Sequence, residues 1–443
     1  MSSSNITDQS TLLAFKFGIK FDPTNVLAHN WTTSTSFCNW IGVTYSTRRQ
    51  RVTVLDLGHK GLQGTISPHL SNLSFLVVLH LQNNSFHGSL AHEFGHLHRL
   101  KGLWLQYNYL EGTILTSLHQ CRRLQVIYLA DNNFTGGIPE ELGMLPELRY
   151  LLLGGNYNLM GTIPLSLGNI TKLEYLAVER NGLTGSIPFA IFNLSSLWYI
   201  FLPQSTISST LPDDLCLNCP NLEELVLAYN QISGPLPSML HLCQELTQLV
   251  LYNNSLNGSI ADGIGNLPKL KKLYIGSNKI AGTIPLSLGN ISSLAQLYLG
   301  DGHIHGRIPN DLGCLSKLIE FNIEVNYLTG AIPQEIFNIS FLQFTSLDFN
   351  DLSRNLPKTA GLRLPNLTLL QLQRNQLGGN IPAYLSNSFR LTRLSLGLNL
   401  FTGPMLTNFG NLQLLQKINV GNSRLTRDPG SPKLHFLTAL TNC

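Results

Sequence analysis

The sequence predicts an α/β solenoid with a parallel sheet on its concave side and a helical cap at its N terminus. The first observation is a unit of 24 or 25 residues that repeats about sixteen times between Val52 and about Leu425. The second is the alternation of apolar and polar residues in the L-x-L segment of each unit, which is typical of a half-buried strand. The third is an N-terminal segment that lacks the repeat. Because one unit cannot bury its own leucines, the units must stack.

Each unit follows the pattern L-x-x-L-x-L-x-x-N-x-L-x-G-x-I-P, with clear copies at residues 270–285 and 321–333. This period and leucine spacing form the leucine-rich-repeat signature. The asparagine marks the register at Asn84, Asn108, Asn132, Asn156, Asn181, Asn230, Asn254, Asn278, Asn326, Asn350, Asn375 and Asn399. The remaining rungs carry Lys60, Ser205, Gly302 and Ser423. A buried asparagine both donates and accepts, so we expect a ladder that satisfies the backbone groups of the turns.

The pattern divides the chain into three regions. Residues 1–51 are predicted to form the capping domain, which opens with a helix over residues 6–21 that Thr7 or Asp8 can cap. Trp31 and Trp40 then supply apolar bulk to cover the first repeat. Residues 52–426 form the repeats. Residues 427–443 are predicted to be the irregular start of a further, truncated repeat, so we expect the chain to be part of a longer protein.

Composition excludes several classes of protein. Charged residues make up 12% of the 443 residues and the net charge is +4, too mild and scattered to favour nucleic acid. No run of 18 apolar residues predicts a membrane-spanning helix, and the first residues lack the apolar region of a leader. Twelve N-x-S/T sequons favour a secreted, glycosylated chain. They lie at Asn5, Asn30, Asn72, Asn83, Asn133, Asn169, Asn193, Asn253, Asn257, Asn290, Asn338 and Asn366.

Several segments carry a family resemblance. T-D-Q-S-T-L-L-A-F-K, F-C-N-W-I-G-V, R-V-T-V-L-D-L and the G-x-I-P repeats resemble the extracellular region of plant leucine-rich-repeat receptor kinases. S-P-H-L-S-N-L-S-F-L and F-L-T-A-L-T-N-C are similar to the subfamily of the flagellin-sensing and EF-Tu-sensing immune receptors and the rice bacterial-blight resistance receptor. The resemblance covers nearly the whole chain. It implies a plant-type leucine-rich-repeat superhelix whose full-length form has a membrane span and a cytoplasmic Ser/Thr kinase.

The resemblance also implies a function. The chain would be the ligand-recognition module of such a receptor on the extracellular face of the plasma membrane, binding a peptide on its concave face for innate immune signalling. A co-receptor kinase of the somatic-embryogenesis type would be its partner. No cofactor, metal, nucleic acid or catalytic residue is expected. The family cap pairs two cysteines in C-x-W-x-G-V-x-C, but this chain has Cys38 and Tyr45 there, so that disulfide is not expected.

Two other motifs suggest chemistry. His92-Glu93-Phe94-Gly95-His96 matches H-E-x-x-H, the zinc-binding pattern of metalloproteases. Its position coincides with the turn of the repeat, so we interpret it as structural. Cys219 and Cys243 lie one period apart, which makes a disulfide possible, whereas buried thiols are the alternative. Nothing nearby completes a site around the Cys216-x-x-Cys219 pair.

The variable positions of the strands are the candidate ligand contacts. Aromatic side chains lined up on one face, with charges between them, suit an extended peptide, although strand propensity also favours tyrosine there. The predicted contacts are Trp104, Tyr107, Tyr128, Asp131, Glu179, Arg180, Phe201, Tyr229, Tyr252, Tyr274, Tyr298 and Asp301. Further strand positions of the same kind are Tyr109, Tyr157, Glu324, Tyr327, Asp348, Phe349, Gln371, Gln373 and Arg374.

Three alternative functions remain open at this point. A secreted leucine-rich-repeat protein, an enzyme inhibitor or a decoy, would use the same kind of surface. A hydrolase would use the H-E-x-x-H motif. A receptor fragment without function would account for Tyr45, for the absence of a leader and for the abrupt C terminus.

Overall fold

The computed structural model describes residues 3–357, 364–405 and 407–426. The chain divides into two compact units: unit 1 comprises residues 1–209 and 229–231, and unit 2 comprises residues 210–228 and 232–443. In each unit the repeats stack as a solenoid around a parallel sheet, which confirms the predicted fold class. The predicted start of a further repeat, residues 427–443, lies outside the described residues.

The cap begins with the α-helix Ser3–Phe17, followed by a short helix, Val26–Asn30, and a 3-10 turn, Phe37–Asn39. The ring of Trp31 is fully buried and stacks on Trp40 at a centroid distance of 5.1 Å. The cap therefore has an aromatic core of its own. Tyr45, which stands at the second cysteine position of the related caps, lies edge-on to Phe37 at 6.4 Å.

A buried carboxylate joins the cap to the first repeat. Asp8 is fully buried in the first helix and accepts hydrogen bonds from the Arg51 guanidinium at 2.8 Å and from the Val52 amide at 2.8 Å. The bidentate pairing compensates the cost of burying this charge. The helix is thereby fixed onto the strand that opens the repeats.

The main sheet of unit 1 begins with an antiparallel hairpin and continues with parallel strands. Val43–Ser46 pairs antiparallel with Arg51–Asp56. Each later strand of this sheet pairs in parallel with the main-sheet strand of the preceding repeat. The leucines between the exposed positions are fully buried, as with Leu79 and Leu103. The later strands are Val78–His80, Gly102–Trp104, Val126–Tyr128, Tyr150–Leu152, Tyr175–Ala177 and Tyr199–Phe201.

The main sheet of unit 2 has the same parallel pairing, with Leu249 opposite Leu273 and Leu273 opposite Leu297. Its strands are Glu224–Val226, Gln248–Val250, Lys272–Tyr274, Gln296–Tyr298, Glu320–Asn322, Phe344–Ser346, Leu369–Gln371, Arg393–Ser395 and Lys417–Asn419.

A second set of short strands follows the main strands in each repeat. In unit 1, Ile19–Phe21 of the cap pairs antiparallel with Gln63–Thr65 and so covers the edge of this set. The others in unit 1 are Ser85–Ser89, Tyr109–Thr113, Asn133–Thr135, Met160–Thr162, Gly182–Gly185 and Thr206–Ile207. Those of unit 2 are Ser233–Pro235, Ser255–Asn257, Ala281–Gly282, His303–Arg307, Tyr327–Gly330, Asp351–Asn355, Gln376–Asn380, Leu400–Pro404 and Arg424–Thr426.

Short helical turns complete the repeats on the side away from the main sheet. Most are 3-10 turns, and one, Leu215–Asn218, is an α-helical turn. The 3-10 turns of unit 1 are Pro68–Asn72, His92–His96, Thr116–Gln120, Glu140–Met144, Leu165–Asn169 and Phe189–Asn193. Those of unit 2 are Leu240–Leu242, Asp262–Asn266, Leu286–Asn290, Asn310–Cys314, Gln334–Asn338, Ala383–Asn387 and Thr407–Asn411.

The predicted asparagine ladder is confirmed. The Asn132 amide donates to the carbonyls of Leu105 at 3.0 Å and Leu129 at 3.1 Å, and its oxygen accepts from the Leu110 amide at 2.9 Å. Asn350 repeats this arrangement in unit 2 and accepts from the Leu328 amide at 3.0 Å. Each asparagine therefore ties its own turn to the preceding repeat through backbone groups that would otherwise be buried without partners.

Candidate functional site

The candidate site is the solvent-facing side of the main sheets, which we call the sheet face. Each repeat contributes four positions to it: the first and third residues of the strand and the two residues before the ladder position. In one repeat these are Lys272, Tyr274, Gly276 and Ser277. Leu273, between the two strand positions, is fully buried. The alternation of the strand thus decides which side chains a ligand can contact.

The last of the four positions has an unusual backbone conformation. It has a positive φ in repeat after repeat, for example 53° at Asn83 and 51° at Val325. We call these residues the left-handed column. Its non-glycine members are His59, Asn83, Tyr107, Asp131, Arg180, Gln204, Tyr229, Asn253, Ser277, Asp301, Val325, Phe349, Arg374, Leu398 and Asn422. The conformation ends the strand and turns the chain toward the ladder asparagine.

In unit 1 the sheet face carries a file of stacked rings. Tyr175 and Tyr199 stack at a centroid distance of 3.9 Å, and Tyr199 stacks on Phe201 at 5.7 Å. Tyr150 adds a tilted contact with Tyr175 at 6.3 Å, and its hydroxyl donates to Glu174 at 2.8 Å. Burial raises the pKa of Tyr175, so this hydroxyl remains protonated at physiological pH. The file presents aromatic surface with fixed hydroxyl groups.

Charged side chains lie beside these rings. Arg180 forms an ion pair with Asp131 at 2.9 Å and passes over Gly155, where a Cβ would come within 2.4 Å of the Asp131 carboxylate. Glu179 lies against Gly154, and its Oε2 atom is buried with no hydrogen-bond partner among the described residues. Burial raises the pKa of Glu179. The two glycines thus make room for a compact charged group on the sheet face.

In unit 2 the sheet face combines tyrosines with carboxylates. Tyr274 and Tyr298 lie 4.4 Å apart, and the Tyr298 hydroxyl donates to Glu320 at 2.8 Å. Asp348 is 5% exposed and accepts a hydrogen bond from the Gln373 amide at 2.5 Å. Burial raises the pKa of Asp348 to about 6, and the charge of nearby Glu324 adds to this effect. A protonated Asp348 could donate a hydrogen bond, which a carboxylate cannot.

Each unit also has a cleft beside the left-handed column. The unit 1 cleft has a volume of about 530 Å³ and is lined by His59, Asn83, Ser85, Tyr107 and Tyr109. The unit 2 cleft has a volume of about 360 Å³ and is lined by Gly302, Val325, Tyr327, Phe349, Asp351 and Arg374. The two clefts occupy equivalent places in the repeat but differ in chemistry.

The predicted contact residues fall into three groups on the sheet face. The strands hold five of them, and Trp104 and Tyr128 are direct neighbours on paired strands. Glu179 and Tyr252 precede the left-handed column, which holds the rest. The strand group is Trp104, Tyr128, Phe201, Tyr274 and Tyr298, and the column group is Tyr107, Asp131, Arg180, Tyr229 and Asp301. Their binding to a ligand stays a prediction.

Sequence reasoning did not single out Tyr150, Tyr175 and Tyr199, which form the centre of the stacked file. All three occupy the first strand position, whereas the predicted strand contacts all occupy the third. Their recurrence in three successive repeats was the signal that could have identified them.

The H-E-x-x-H motif is part of a turn and not of a zinc-binding helix. His92–His96 is a 3-10 turn, in which the two imidazole rings stand 6.2 Å apart and edge-to-face. In the part of the chain that the structure describes, no group of three or more His, Cys, Asp or Glu side chains is placed to hold a metal ion. This geometry agrees with the structural turn that the position of the motif in the repeat predicts.

The possible disulfide between Cys219 and Cys243 is not formed, and the alternative of a buried thiol applies to Cys219. Cys243 bonds to Cys216 with a Cα–Cα distance of 5.0 Å, and not to Cys219. Cys219 and Cys243 hold the same position in successive repeats, so their side chains point in parallel into the core and do not converge. Cys216 lies in the preceding helical turn, from which it reaches Cys243. Cys219 keeps its thiol, and burial raises its pKa to about 12.

The sequons lie on accessible surface. Asn30 and Asn366 are half-buried, and the other candidates described here are exposed: Asn72, Asn83, Asn133, Asn169, Asn193, Asn253, Asn257, Asn290 and Asn338. The side chain of Asn5 lies outside the described residues. Among the described helices, none combines the length and the apolar character needed to cross a membrane.

Comparison with known families agrees with this architecture. A family model described as "Leucine rich repeat N-terminal domain" matches residues 5–44. A second, "Leucine Rich Repeat", matches residues 75–97, 123–145, 221–243, 245–267 and 269–291.

A curated relative supports the same assignment. LRR receptor-like serine/threonine-protein kinase EFR of Arabidopsis thaliana is 45% identical over 98 residues, which cover 22% of this chain and 10% of the relative. The matching segment therefore spans about a tenth of that relative.

Two solved structures extend the likeness to most of the chain. The plant peptide hormone receptor RGFR1 in complex with RGF2 is 33% identical, with a TM-score of 0.78, over 88% of this chain and 68% of that one. The ectodomain of the receptor kinase GASSHO1/SCHENGEN3 from Arabidopsis thaliana, in complex with CASPARIAN STRIP INTEGRITY FACTOR 2, is 30% identical, with a TM-score of 0.58, over 95% and 62%. This chain belongs to the leucine-rich-repeat family, in the form that plant receptor-kinase ectodomains share.

Proposed function

We propose that this chain is the ligand-recognition module of a plant receptor kinase, that it binds a peptide along its sheet face, and that it serves innate immune signalling. The observation that carries this proposal is the recurrence of aromatic and charged side chains at the accessible positions of successive repeats. Rings held by stacking, such as Tyr175 and Tyr199 at 3.9 Å, lose little freedom when a ligand binds. Neighbouring hydroxyl and carboxylate groups then supply orientation.

The likeness to receptor ectodomains supports the proposal. RGFR1 was solved in complex with RGF2, and it is similar to this chain over most of its length. The immune role rests on the similarity to EFR and on the resemblance of the sequence to immune receptors. The catalytic step of such a receptor would belong to a kinase domain elsewhere in the full protein.

We also propose how the chain is organised and where it acts. Residues 1–51 serve as the cap, residues 52–426 as the repeats and residues 427–443 as the start of a further repeat. The module lies on the extracellular face of the plasma membrane, where its accessible sequons carry glycans. A co-receptor kinase ectodomain joins the complex once the peptide is bound.

The test is direct selection of binding peptides. The secreted protein is panned against a phage-displayed library of random peptides, and the enriched peptides are titrated by calorimetry. We expect binders whose affinity falls by at least about tenfold in Tyr274→Ala and Tyr298→Ala variants, since buried tyrosine contacts are frequent hot spots. Leu286→Ala is the matched control, because Leu286 is exposed on a 3-10 turn away from the sheet face. An outcome without binders, or with equal losses in all three variants, contradicts the proposed function.

A further inference from the structure

The unit 2 cleft is built by residues that are unfavourable in the free protein. Val325 is 43% exposed and Phe349 is 38% exposed, although both side chains are apolar. Contiguous apolar surface of this kind marks interaction sites on soluble proteins.

The backbone at the same residues is strained. Val325 has a φ of 51° and Phe349 a φ of 55°, in the left-handed region where branched and bulky residues are outliers. Asn83 and Ser277 of the left-handed column are small and polar, and asparagine in particular tolerates this conformation, whereas Tyr107, Tyr229 and Leu398 are large, like Phe349. Val325 and Phe349 therefore combine backbone strain with exposed apolar surface at one place.

The equivalent cleft in unit 1 shows what the fold itself requires. There the column positions include Tyr107, which is exposed like Phe349, and Asn83, which takes the place of Val325 and hydrogen-bonds the His59 ring at 2.8 Å. The same backbone turn thus forms with a polar side chain that satisfies its own hydrogen bonds. The apolar choice in unit 2 is not needed for folding, which points to a binding role.

A positive charge borders the apolar cleft. The guanidinium of Arg374 lies over the Phe349 ring at 5.2 Å from its centroid. Within the described residues no carboxylate lies within ion-pair distance of Arg374. The Asp351 carboxylate, which also lines the cleft, accepts from the Gln376 amide at 3.2 Å instead. An Arg374 held by an aromatic ring can bind a carboxylate in bidentate form.

The cleft is also free of sequons. Asn83 is part of the unit 1 cleft and begins an N-x-S sequon, whereas no sequon asparagine is among the residues that line the unit 2 cleft. A glycan at Asn83 would occupy the first cleft and would leave the second open.

We propose that the unit 2 cleft is a docking subsite for a bulky apolar side chain of an extended peptide that carries a carboxylate beside that side chain. The apolar side chain packs between Val325 and Phe349, and the carboxylate pairs with Arg374. The inference rests on the proposed function, because it assigns one subsite of the peptide surface. It commits to a ligand with an apolar and acidic dipeptide element.

The experiment compares library selections on the wild-type protein and on variants of the cleft. In the double variant Val325→Asn/Phe349→Asn, both residues become ones that favour the left-handed backbone, so we expect its Tm to be at or above that of the wild type. The matched control is Leu398→Asn. Leu398 has the same backbone conformation, with a φ of 55°, and is 43% exposed, but it does not line the cleft.

The expected result is enrichment of peptides with a large apolar residue next to Asp or Glu. Their affinity falls at least about tenfold in the double variant and stays unchanged in Leu398→Asn. Arg374→Gln weakens the acidic peptides but not the same peptides with Asn or Gln in place of the acid.

Two results overturn the inference and are distinguishable. Binders that lack this element, or that bind the double variant and Arg374→Gln as well as the wild type, contradict the subsite and leave the proposed function standing. A library that yields no binder contradicts both. If the double variant unfolds, the Arg374→Gln comparison still decides, since this exposed side chain lies at the rim of the cleft and makes no ion pair in the described structure.

Discussion

The clefts of the two units share one backbone turn and both expose an aromatic ring there, Tyr107 or Phe349, but they differ at the preceding column position. In unit 1 the turn holds Asn83, hydrogen-bonded to His59. In unit 2 it holds Val325 and Phe349, which have the same positive φ but exposed apolar side chains. The two clefts therefore show which features form the repeat and which are available for binding a ligand. The backbone geometry belongs to the repeat, and the side chains at the left-handed column are left to vary with function.

The largest effect is expected when one ladder asparagine is removed in each unit, which tests whether the two units are stabilised by the same hydrogen bonds. Asn132→Ala and Asn350→Ala each delete a buried amide that donates to several carbonyls and accepts from one amide. We expect each to lower the free energy of unfolding by about 3 kcal/mol, because buried backbone groups lose their partners. Urea denaturation of the two variants measures this. If only one of the two variants lost stability, the ladder would not stabilise both units in the same way.

A disulfide bond is a second feature by which unit 2 differs from unit 1 among the described residues. The bond between Cys216 and Cys243 closes a loop with a sequence separation of 27 residues. We expect Cys216→Ser/Cys243→Ser to lower the free energy of unfolding by about 3 kcal/mol through the added freedom of the unfolded chain. Mass spectrometry of a non-reducing digest identifies the linked peptides. A peptide linking Cys219 to Cys243 would contradict the assignment, and Cys219→Ser serves as the control that keeps the bond.

Two acids that precede the left-handed column, the buried Asp348 and the half-buried Glu179, are expected to make stability depend on pH. Burial raises the pKa of Asp348 from 3.8 to about 6, so between these values the folded chain binds more protons than the unfolded chain. Its contribution to stability is full below about pH 4 and is lost by about pH 6, a decrease of about 2 kcal/mol.

Asp348→Asn should flatten this slope, and urea midpoints at several pH values measure it. Burial also raises the pKa of Glu179 in unit 1, so Glu179→Gln should flatten the curve in the same direction. A wild-type stability that rises between about pH 4 and pH 6 and loses this rise in Asp348→Asn would refute the assigned direction.

The smallest effect tests the strain itself. Val325→Asn in unit 2 should raise the free energy of unfolding by about 1 kcal/mol, and Asn83→Val in unit 1 should lower it by a similar amount. The two changes exchange the side chains of equivalent positions. Thermal unfolding of unglycosylated protein compares them without the loss of a glycan at Asn83. If both variants changed the free energy of unfolding in the same direction, the strain assigned to Val325 would be contradicted.

The fold was predictable because the same pattern of buried and accessible positions recurs in every repeat. Leucine spacing fixes the buried positions, and each ladder asparagine, such as Asn132, fixes the register. The cross-link was not predictable in the same way, since equal spacing of Cys219 and Cys243 says nothing about the direction of their side chains. Cys216 lies in the one α-helical turn among the described repeats, where the regular pattern breaks.

The candidate site was predictable by position and less so by contact. The sequence identified accessible residues at the third strand position, but the ring stacking that joins Tyr150, Tyr175 and Tyr199 at the first position depends on side-chain geometry between repeats. The strain at Val325 depends on a backbone angle, and a consensus that records residue types does not contain it. Likewise, the repeat pattern places Arg180 and Asp131 in the same column two repeats apart, but it does not show that they pair across Gly155.

That ion pair has a consequence for how this gene can change over time. Arrays of this kind gain and lose whole repeats, and a deletion of one unit leaves most neighbour contacts intact because every unit offers the same surface. Asp131 and Arg180, however, belong to repeats separated by the one that contains Gly155. Duplicating that middle repeat would move the two charges apart, and removing it would place them in adjacent repeats without Gly155 between them. A contact that skips a repeat thus depends on the number of repeats between its partners, whereas a nearest-neighbour contact does not.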